Sequence, residues 1–94
     1  MAHVLIKHPV EDYAKWKKAY DAHAAMRKQA GSKGSQVFRN SENPSEVTIL
    51  FEWGSVEQAR KFNASADLKE AMQKAGVKGM PEFTYLESTA KHPN

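Results

Sequence analysis

Four short segments of the chain are rich in β-branched and aromatic residues, which is typical of strands. They cover residues 3–7, 35–40, 47–53 and about 81–87. The first should stop at Pro9, because proline cannot donate a hydrogen bond to a neighbouring strand. Residues 40–45 carry turn-forming types and lie between the second and third segments. These two segments are therefore predicted to form a hairpin, with residues 47–53 central in the sheet.

Two further segments have apolar residues at steps of three and four, which predicts helices. The first covers residues 10–30 and is ended by Gly31, and residues 31–34 then predict a turn. The second begins at Ser55, because Ser55 and Gln58 have the spacing of a capping box. We expect it to break or bend near residues 63–65 and to end at Gly76. Its predicted core-facing residues are Val56, Ala59, Phe62, Leu68, Met72 and Ala75.

The resulting order is β-α-β-β-α-β, the split βαβ arrangement of an α+β fold, in which two helices cover one face of an antiparallel sheet. Residues 1–88 are expected to form a single domain and residues 89–94 a C-terminal tail. Each strand also carries apolar residues on its second face, such as Leu5, Phe38, Leu50 and Leu86. An uncovered apolar sheet face is typical of an interface, so we predict a homodimer that packs sheet against sheet.

Composition narrows the classes of function. The chain has 94 residues, a net charge of +3 and no cysteine, which excludes thiolate nucleophiles and cysteine-bound metal sites. Its lysines are interleaved with acidic residues, so a nucleic-acid surface is not expected. It contains no apolar run long enough for a membrane span and no signal-peptide pattern, and we expect a cytoplasmic protein.

The predicted first helix places polar groups within an aromatic stripe. Tyr13, Trp16, Tyr20 and Arg27 fall on one helical face, and His23 lies on its flank. A core helix would carry Leu or Ile at such positions, so the stripe indicates a pocket with an apolar body and a few polar groups. His23 would act as a general base or orienting donor, and Arg27 would bind an anionic oxygen. Tyr13, Trp16 and Tyr20 would shape the slot.

These polar residues also have structural explanations. Arg27 lies near the end of the predicted helix, where its charge suits the helix dipole, and His23 could bind a neighbouring group. Three residues elsewhere are further candidates for substrate binding: Trp53, Asn63 and Tyr85. Trp53 is equally explained as part of the core. The histidines have no spacing that brings two of them to one face of a single element, so we expect no metal site.

The sequence resembles the dimeric α+β barrel superfamily, specifically small proteins of the antibiotic biosynthesis monooxygenase-like and cyclase-like kind. The likeness covers residues 2–87. It rests on residues 10–16, on Tyr20, Asp21, Ala22, His23 and Arg27, and on residues 67–72 with Ala75, Gly76 and Val77. It implies a ferredoxin-like protomer, an obligate-looking dimer and a pocket between helices and sheet. Haem-degrading relatives place a ligand histidine on the second helix, where residues 56–75 have none, and we expect no cofactor.

Two functions follow as hypotheses. The resemblance implies a cofactor-independent monooxygenase or cyclase that acts on a small aromatic or enolisable molecule, with His23 and Arg27 as its catalytic residues. The alternative is a dimeric ligand-binding or stress-associated protein without turnover. The two hypotheses differ at His23, because an enzyme requires it beside a cavity, whereas a binding protein or a structural dimer could lose it.

Overall fold

The computed structural model describes residues 2–94 and has the predicted α+β fold, with four antiparallel strands and four helices. The elements are β1 (Ala2–Pro9), α1 (Tyr13–Ala22), α2 (Ala24–Ala30), β2 (Ser32–Arg39), β3 (Glu46–Trp53), α3 (Val56–Asn63), α4 (Ala66–Lys74) and β4 (Glu82–Glu87). The sheet order is β2-β3-β1-β4, so β3 is central, as predicted. No helix within residues 2–94 has the length and apolar character that crossing a membrane requires.

The first helical segment differs from the prediction of one helix over residues 10–30. Asp12 caps α1 by accepting a hydrogen bond from the Lys15 amide (3.2 Å), so the helix starts at Tyr13. The segment then divides at His23, which ends α1 and precedes α2. The spacing of the apolar residues does not reveal this division, because it is the same on both sides of His23.

The predicted turn at residues 31–34 is also wrong in part. Gly31 does end α2, with the positive φ of 116° that glycine adopts readily. Ser32 already pairs with Trp53 as the start of β2. The pairing register is irregular between Ser32 and Gly34, so these turn-forming residues lie within the strand. A bulge and a turn use the same residue types, so the sequence does not separate them.

The second helical segment divides where predicted. The Ser55 hydroxyl accepts from the Gln58 amide (3.1 Å) at the start of α3. The Ser65 hydroxyl accepts from the Leu68 amide (3.2 Å) at the start of α4 and also donates to the carbonyl oxygen of Phe62 (2.7 Å). Ser65 therefore joins the end of one helix to the start of the next.

The core lies between the helices and one face of the sheet. Alternate residues of β1 and β3 are buried there, because successive side chains of a strand point to opposite faces. They are Ala2, Val4, Ile6, Val47, Ile49, Phe51 and Trp53, and Trp16, Ala59, Phe62 and Ala75 pack against them from the helical side. Leu5 and Leu50, which pair across β1 and β3, lie on the opposite face.

Candidate functional site

A cavity lies between the sheet and the helices, with a volume of about 60 Å³. Strands β1 and β3 form its floor through Ile6, His8, Ile49 and Phe51. One wall comes from α1, α2 and the residue between them: Trp16, Ala19, Tyr20, His23, Met26 and Arg27. The other comes from α3, α4 and the residue after them: Phe62, Asn63, Leu68, Ala71, Met72 and Ala75. The lining is mostly apolar, so a ligand's polar groups can meet only a few side chains.

His23 lines the cavity at the division between α1 and α2. Its ring Nδ1 lies 2.8 Å from the carbonyl oxygen of Ala19, in the last turn of α1. A carbonyl oxygen only accepts, so Nδ1 carries the hydrogen and Nε2 of the neutral ring holds the lone pair. The interruption of the helix leaves Ala19 available to the imidazole, because the backbone amide of His23 instead bonds to the carbonyl of Tyr20 (3.2 Å).

Arg27 lines the same wall one turn into α2. Its Nη1 donates to the carbonyl oxygen of Tyr20 (2.6 Å), and its guanidinium carbon lies 3.6 Å from the centre of the Tyr20 ring. Burial lowers the pKa of Arg27, but a guanidinium keeps its charge in proteins. A cation that is partly buried and has no carboxylate bound to it can attract an anionic oxygen.

The aromatic part of the cavity is a stack on α1. Trp16 is 3% exposed, and its ring lies 4.9 Å from that of Tyr20, centre to centre. The Tyr20 hydroxyl is hydrogen-bonded to the Ser35 hydroxyl on β2 (2.6 Å). Burial raises the pKa of Tyr20, so its hydroxyl stays protonated at neutral pH. Tyr20 is thus held between Trp16 on one side and Arg27 on the other.

The structure brings together five of the eight predicted site residues: Trp16, Tyr20, His23, Arg27 and Asn63 all line the cavity. Tyr13, Trp53 and Tyr85 lie behind it. Tyr13 packs against Trp16 (5.9 Å between ring centres), and Trp53 is buried beside Phe62 (5.4 Å). The Tyr85 hydroxyl accepts from the Asn63 amide (3.2 Å), which links it to the cavity through one side chain.

The sequence analysis missed His8 as a site residue. His8 is 2% exposed and lines the cavity from β1. Its signal was the alternation along the strand, since His8 has the same parity as Val4 and Ile6 and so shares their buried face. The expectation from histidine spacing applies only within a single helix or strand. It cannot detect two histidines that lie on different elements. β1 and the α1–α2 junction bring His8 and His23 to one cavity.

Within residues 2–94 no three His, Asp or Glu side chains are grouped as metal ligands. The cavity instead combines an imidazole with a free acceptor nitrogen, a guanidinium and an aromatic stack. This set can bind a planar molecule, take up a proton and stabilise the negative charge that the proton leaves behind.

The sequence profile of the family described as antibiotic biosynthesis monooxygenase matches residues 1–74. Among curated proteins no sequence match is found. Several solved structures have the same fold. A Bordetella bronchiseptica protein provisionally named an antibiotic biosynthesis monooxygenase superimposes with a TM-score of 0.82 at 18% identity, over 95% of this chain and 97% of its own.

SnoaB, a cofactor-independent oxygenase from Streptomyces nogalater, superimposes with a TM-score of 0.78 at 12% identity, over 99% of this chain and 97% of its own. Identities this low establish the fold alone, whereas the profile covers most of the chain. On that evidence, the chain belongs to the antibiotic biosynthesis monooxygenase family.

Proposed function

We propose that the protein is a cofactor-independent oxygenase of the monooxygenase type, acting on a small aromatic or enolisable molecule bound in the cavity. The observation that carries this proposal is the pairing of His23, whose Nε2 is free to accept a proton, with the cation of Arg27 beside an aromatic stack. Membership of the family supports the proposal, as does the name of SnoaB.

The proposed chemistry begins with proton transfer. Nε2 of His23 takes a proton from a substrate CH₂ group beside a carbonyl or an aromatic ring, and Arg27 stabilises the enolate oxygen that results. The electron-rich anion then reduces dioxygen directly. Overall, R₂CH₂ + O₂ gives R₂C=O + H₂O, so the substrate supplies all four electrons. One oxygen atom enters the product and the other leaves as water.

The cavity volume limits how a substrate enters. A volume of about 60 Å³ is less than the roughly 150 Å³ of a cavity that admits benzene, and a fused aromatic ring system requires more. We therefore propose that the α1–α2 wall and α4 move apart on binding. Met26, Leu68 and Met72 line this part of the cavity, and methionine side chains adapt to irregular contacts at low cost.

In this proposal Trp16, Tyr20 and Asn63 contact the substrate directly. Tyr13, Trp53 and Tyr85 contribute from behind, by fixing the positions of Trp16, Phe62 and Asn63 respectively.

The proposal is tested with anthrone, a tricyclic ketone with an enolisable CH₂ group. We expect the wild-type protein to consume O₂ and, from ¹⁸O₂, to place one labelled atom in anthraquinone. His23→Gln keeps a donor for Ala19 but removes the base, and should lower the rate about 10²- to 10⁴-fold. Lys17→Ala, in an exposed ion pair with Asp21, is the matched control and should leave the rate unchanged. A wild-type rate equal to that without protein, or full activity in His23→Gln, would refute the proposal.

The second candidate is a ligand-binding protein without turnover. It is favoured by one observation: His23 and Arg27 both already bond to carbonyl oxygens of α1, which gives each a structural role. Saturable binding of anthrone without O₂ consumption beyond the background would support this function.

We further propose that the protein is a cytoplasmic homodimer joined through the open sheet face. Members of the family are generally dimeric. On this face Leu5 pairs with Leu50, and Phe38 (44% exposed) and Leu86 (39%) lie further out.

Residues 1–88 would form the single domain and residues 89–94 a tail. Limited proteolysis should remove this tail without loss of the dimer.

A further inference from the structure

His8 is a buried polar residue on the helix-facing side of β1. Its ring makes an edge-to-face contact with Trp16, with 5.7 Å between ring centres and an interplanar angle of 61°. The side chain lines the cavity, and its Nδ1 is buried without a hydrogen-bond partner. His8 therefore brings to the cavity an imidazole ring with one nitrogen that the protein leaves unpaired.

An unpaired buried nitrogen is unfavourable, and a hydrophobic residue of similar shape would avoid the cost. Burial also lowers the pKa of His8. Backbone groups of Pro9 and His8 act in the opposite direction and offset part of this lowering, although none of them forms a hydrogen bond with Nδ1. The ring is consequently neutral at neutral pH, with one nitrogen as donor and the other as acceptor. Such a ring can bond either to a hydroxyl or to a carbonyl group.

We propose that His8 is a binding residue of the cavity, whose imidazole forms a hydrogen bond with an oxygen substituent at the sheet end of the bound molecule. This inference rests on the proposed function and extends it to substrate class. One oxygen of the ligand meets His23 and Arg27 on the helical wall, and a second meets His8 on the floor. The preferred ligand is thus an aromatic compound with at least two oxygen substituents.

The ring of His8 is positioned by packing. No hydrogen bond fixes Nδ1, and the ring lies against Trp16. A neutral imidazole has two tautomers, so the nitrogen that faces the ligand can act as donor or as acceptor. A phenyl ring at position 8 keeps a planar aromatic group beside Trp16, which allows the hydrogen bond to be tested apart from the packing.

The test measures the affinity of phenol and of the 1,2-, 1,3- and 1,4-benzenediols by NMR titration under nitrogen, which prevents turnover. At least one diol should bind the wild-type protein roughly three- to tenfold more tightly than phenol, the value of one neutral hydrogen bond. In His8→Phe this diol should fall to the affinity of phenol, while phenol binding changes by less than about twofold. Lys17→Ala should keep the wild-type pattern.

Two further measurements guard against a folding defect. His8→Gln retains a donor and an acceptor and should restore part of the preference for the diol. In the wild-type protein, the imidazole ¹⁵N shifts of His8 should move on addition of the diol but not of phenol. Binding of phenol and diols that is equal in the wild-type protein, or a preference that persists in His8→Phe, overturns the role of His8 alone. Failure of all four compounds to bind also overturns the role of His8, whereas the proposed function is overturned separately, when the wild-type protein does not accelerate the oxidation of anthrone.

Discussion

His23 and Arg27 each combine a structural contact with a position on the cavity. The carbonyl oxygens at the end of a helix have no partners within it, and at the end of α1 two of them are reached by the imidazole and the guanidinium. These bonds fix the His23 tautomer and hold Arg27 over Tyr20. Such fixation also suits a catalytic group, so these bonds are compatible with both candidate functions, and the activity of His23→Gln distinguishes them.

At the residue scale, the burial of His8 predicts how stability depends on pH. Its pKa in the folded protein lies below the ordinary value of 6.5. As the pH falls through 6.5, the unfolded chain gains a proton before the folded one does. The contribution of His8 to the free energy of unfolding is therefore complete above pH 6.5. It decreases as the pH falls from 6.5 to the lowered pKa, by at most about 1.4 kcal/mol per pH unit.

Urea unfolding of the wild-type protein and His8→Phe between pH 8 and pH 5 measures this effect. The free energy of unfolding of the wild-type protein should fall relative to that of the variant below pH 6.5. Curves that stay parallel over the whole range would contradict the assignment of a neutral, buried imidazole.

At the element scale, both helical segments are divided, and the two divisions have different origins. The break between α3 and α4 is specified locally, because Ser65 supplies the cap of α4 and a bond to the end of α3. The break at His23 has no side-chain cap for α2. It coincides instead with the side-chain bonds from His23 and Arg27 back to α1.

Ser65→Ala should lower the free energy of unfolding by about 1–2 kcal/mol, because it removes both hydrogen bonds of the hydroxyl. Ser55→Ala, which removes only the cap of α3, should cost about 1 kcal/mol and serves as the matched comparison. Ser65→Asp restores the acceptor but not the donor and should fall between the wild-type protein and Ser65→Ala. Chemical denaturation decides the order, and an equal or larger loss for Ser55→Ala would argue against a joining role for Ser65.

At the scale of the whole molecule, the helices cover one face of the sheet and leave the other open. On the open face apolar and polar residues are mixed: Leu5 and Leu50 are flanked along their strands by His3, Lys7, Thr48 and Glu52. A mixed face suits a subunit interface better than a buried core, since polar residues there can pair across the interface or remain at its rim.

Leu50→Lys should convert the proposed dimer to a 10.6 kDa monomer, because it places a charge at the centre of the open face. Folding should be retained, since the side chain points away from the core. Gln73→Lys adds the same charge on the exposed side of α4 and should stay dimeric. Sedimentation velocity at micromolar concentration distinguishes the two states, and a monomeric wild-type protein would rule out the interface.

The sequence by itself determined the order of the elements, the cap at Ser55, the break near residues 63–65 and the presence of apolar residues on the second sheet face. Each of these depends on neighbours within a few positions or on strand parity, which a linear pattern records directly. It also singled out the aromatic stripe and its two polar members. It could not separate Trp16 and Tyr20, which line the cavity, from Tyr13, which lies behind them, because all three share one helical face.

Only the tertiary structure decided which polar groups meet. His8 and His23 are 15 positions apart on different elements, and packing of the helices on the sheet brings both to one cavity. The bonds from His23 and Arg27 to α1 likewise depend on the helix break, which leaves the apolar period unchanged. Local periodicity thus specifies the elements, whereas a binding site arises from side chains whose proximity is created by packing between elements.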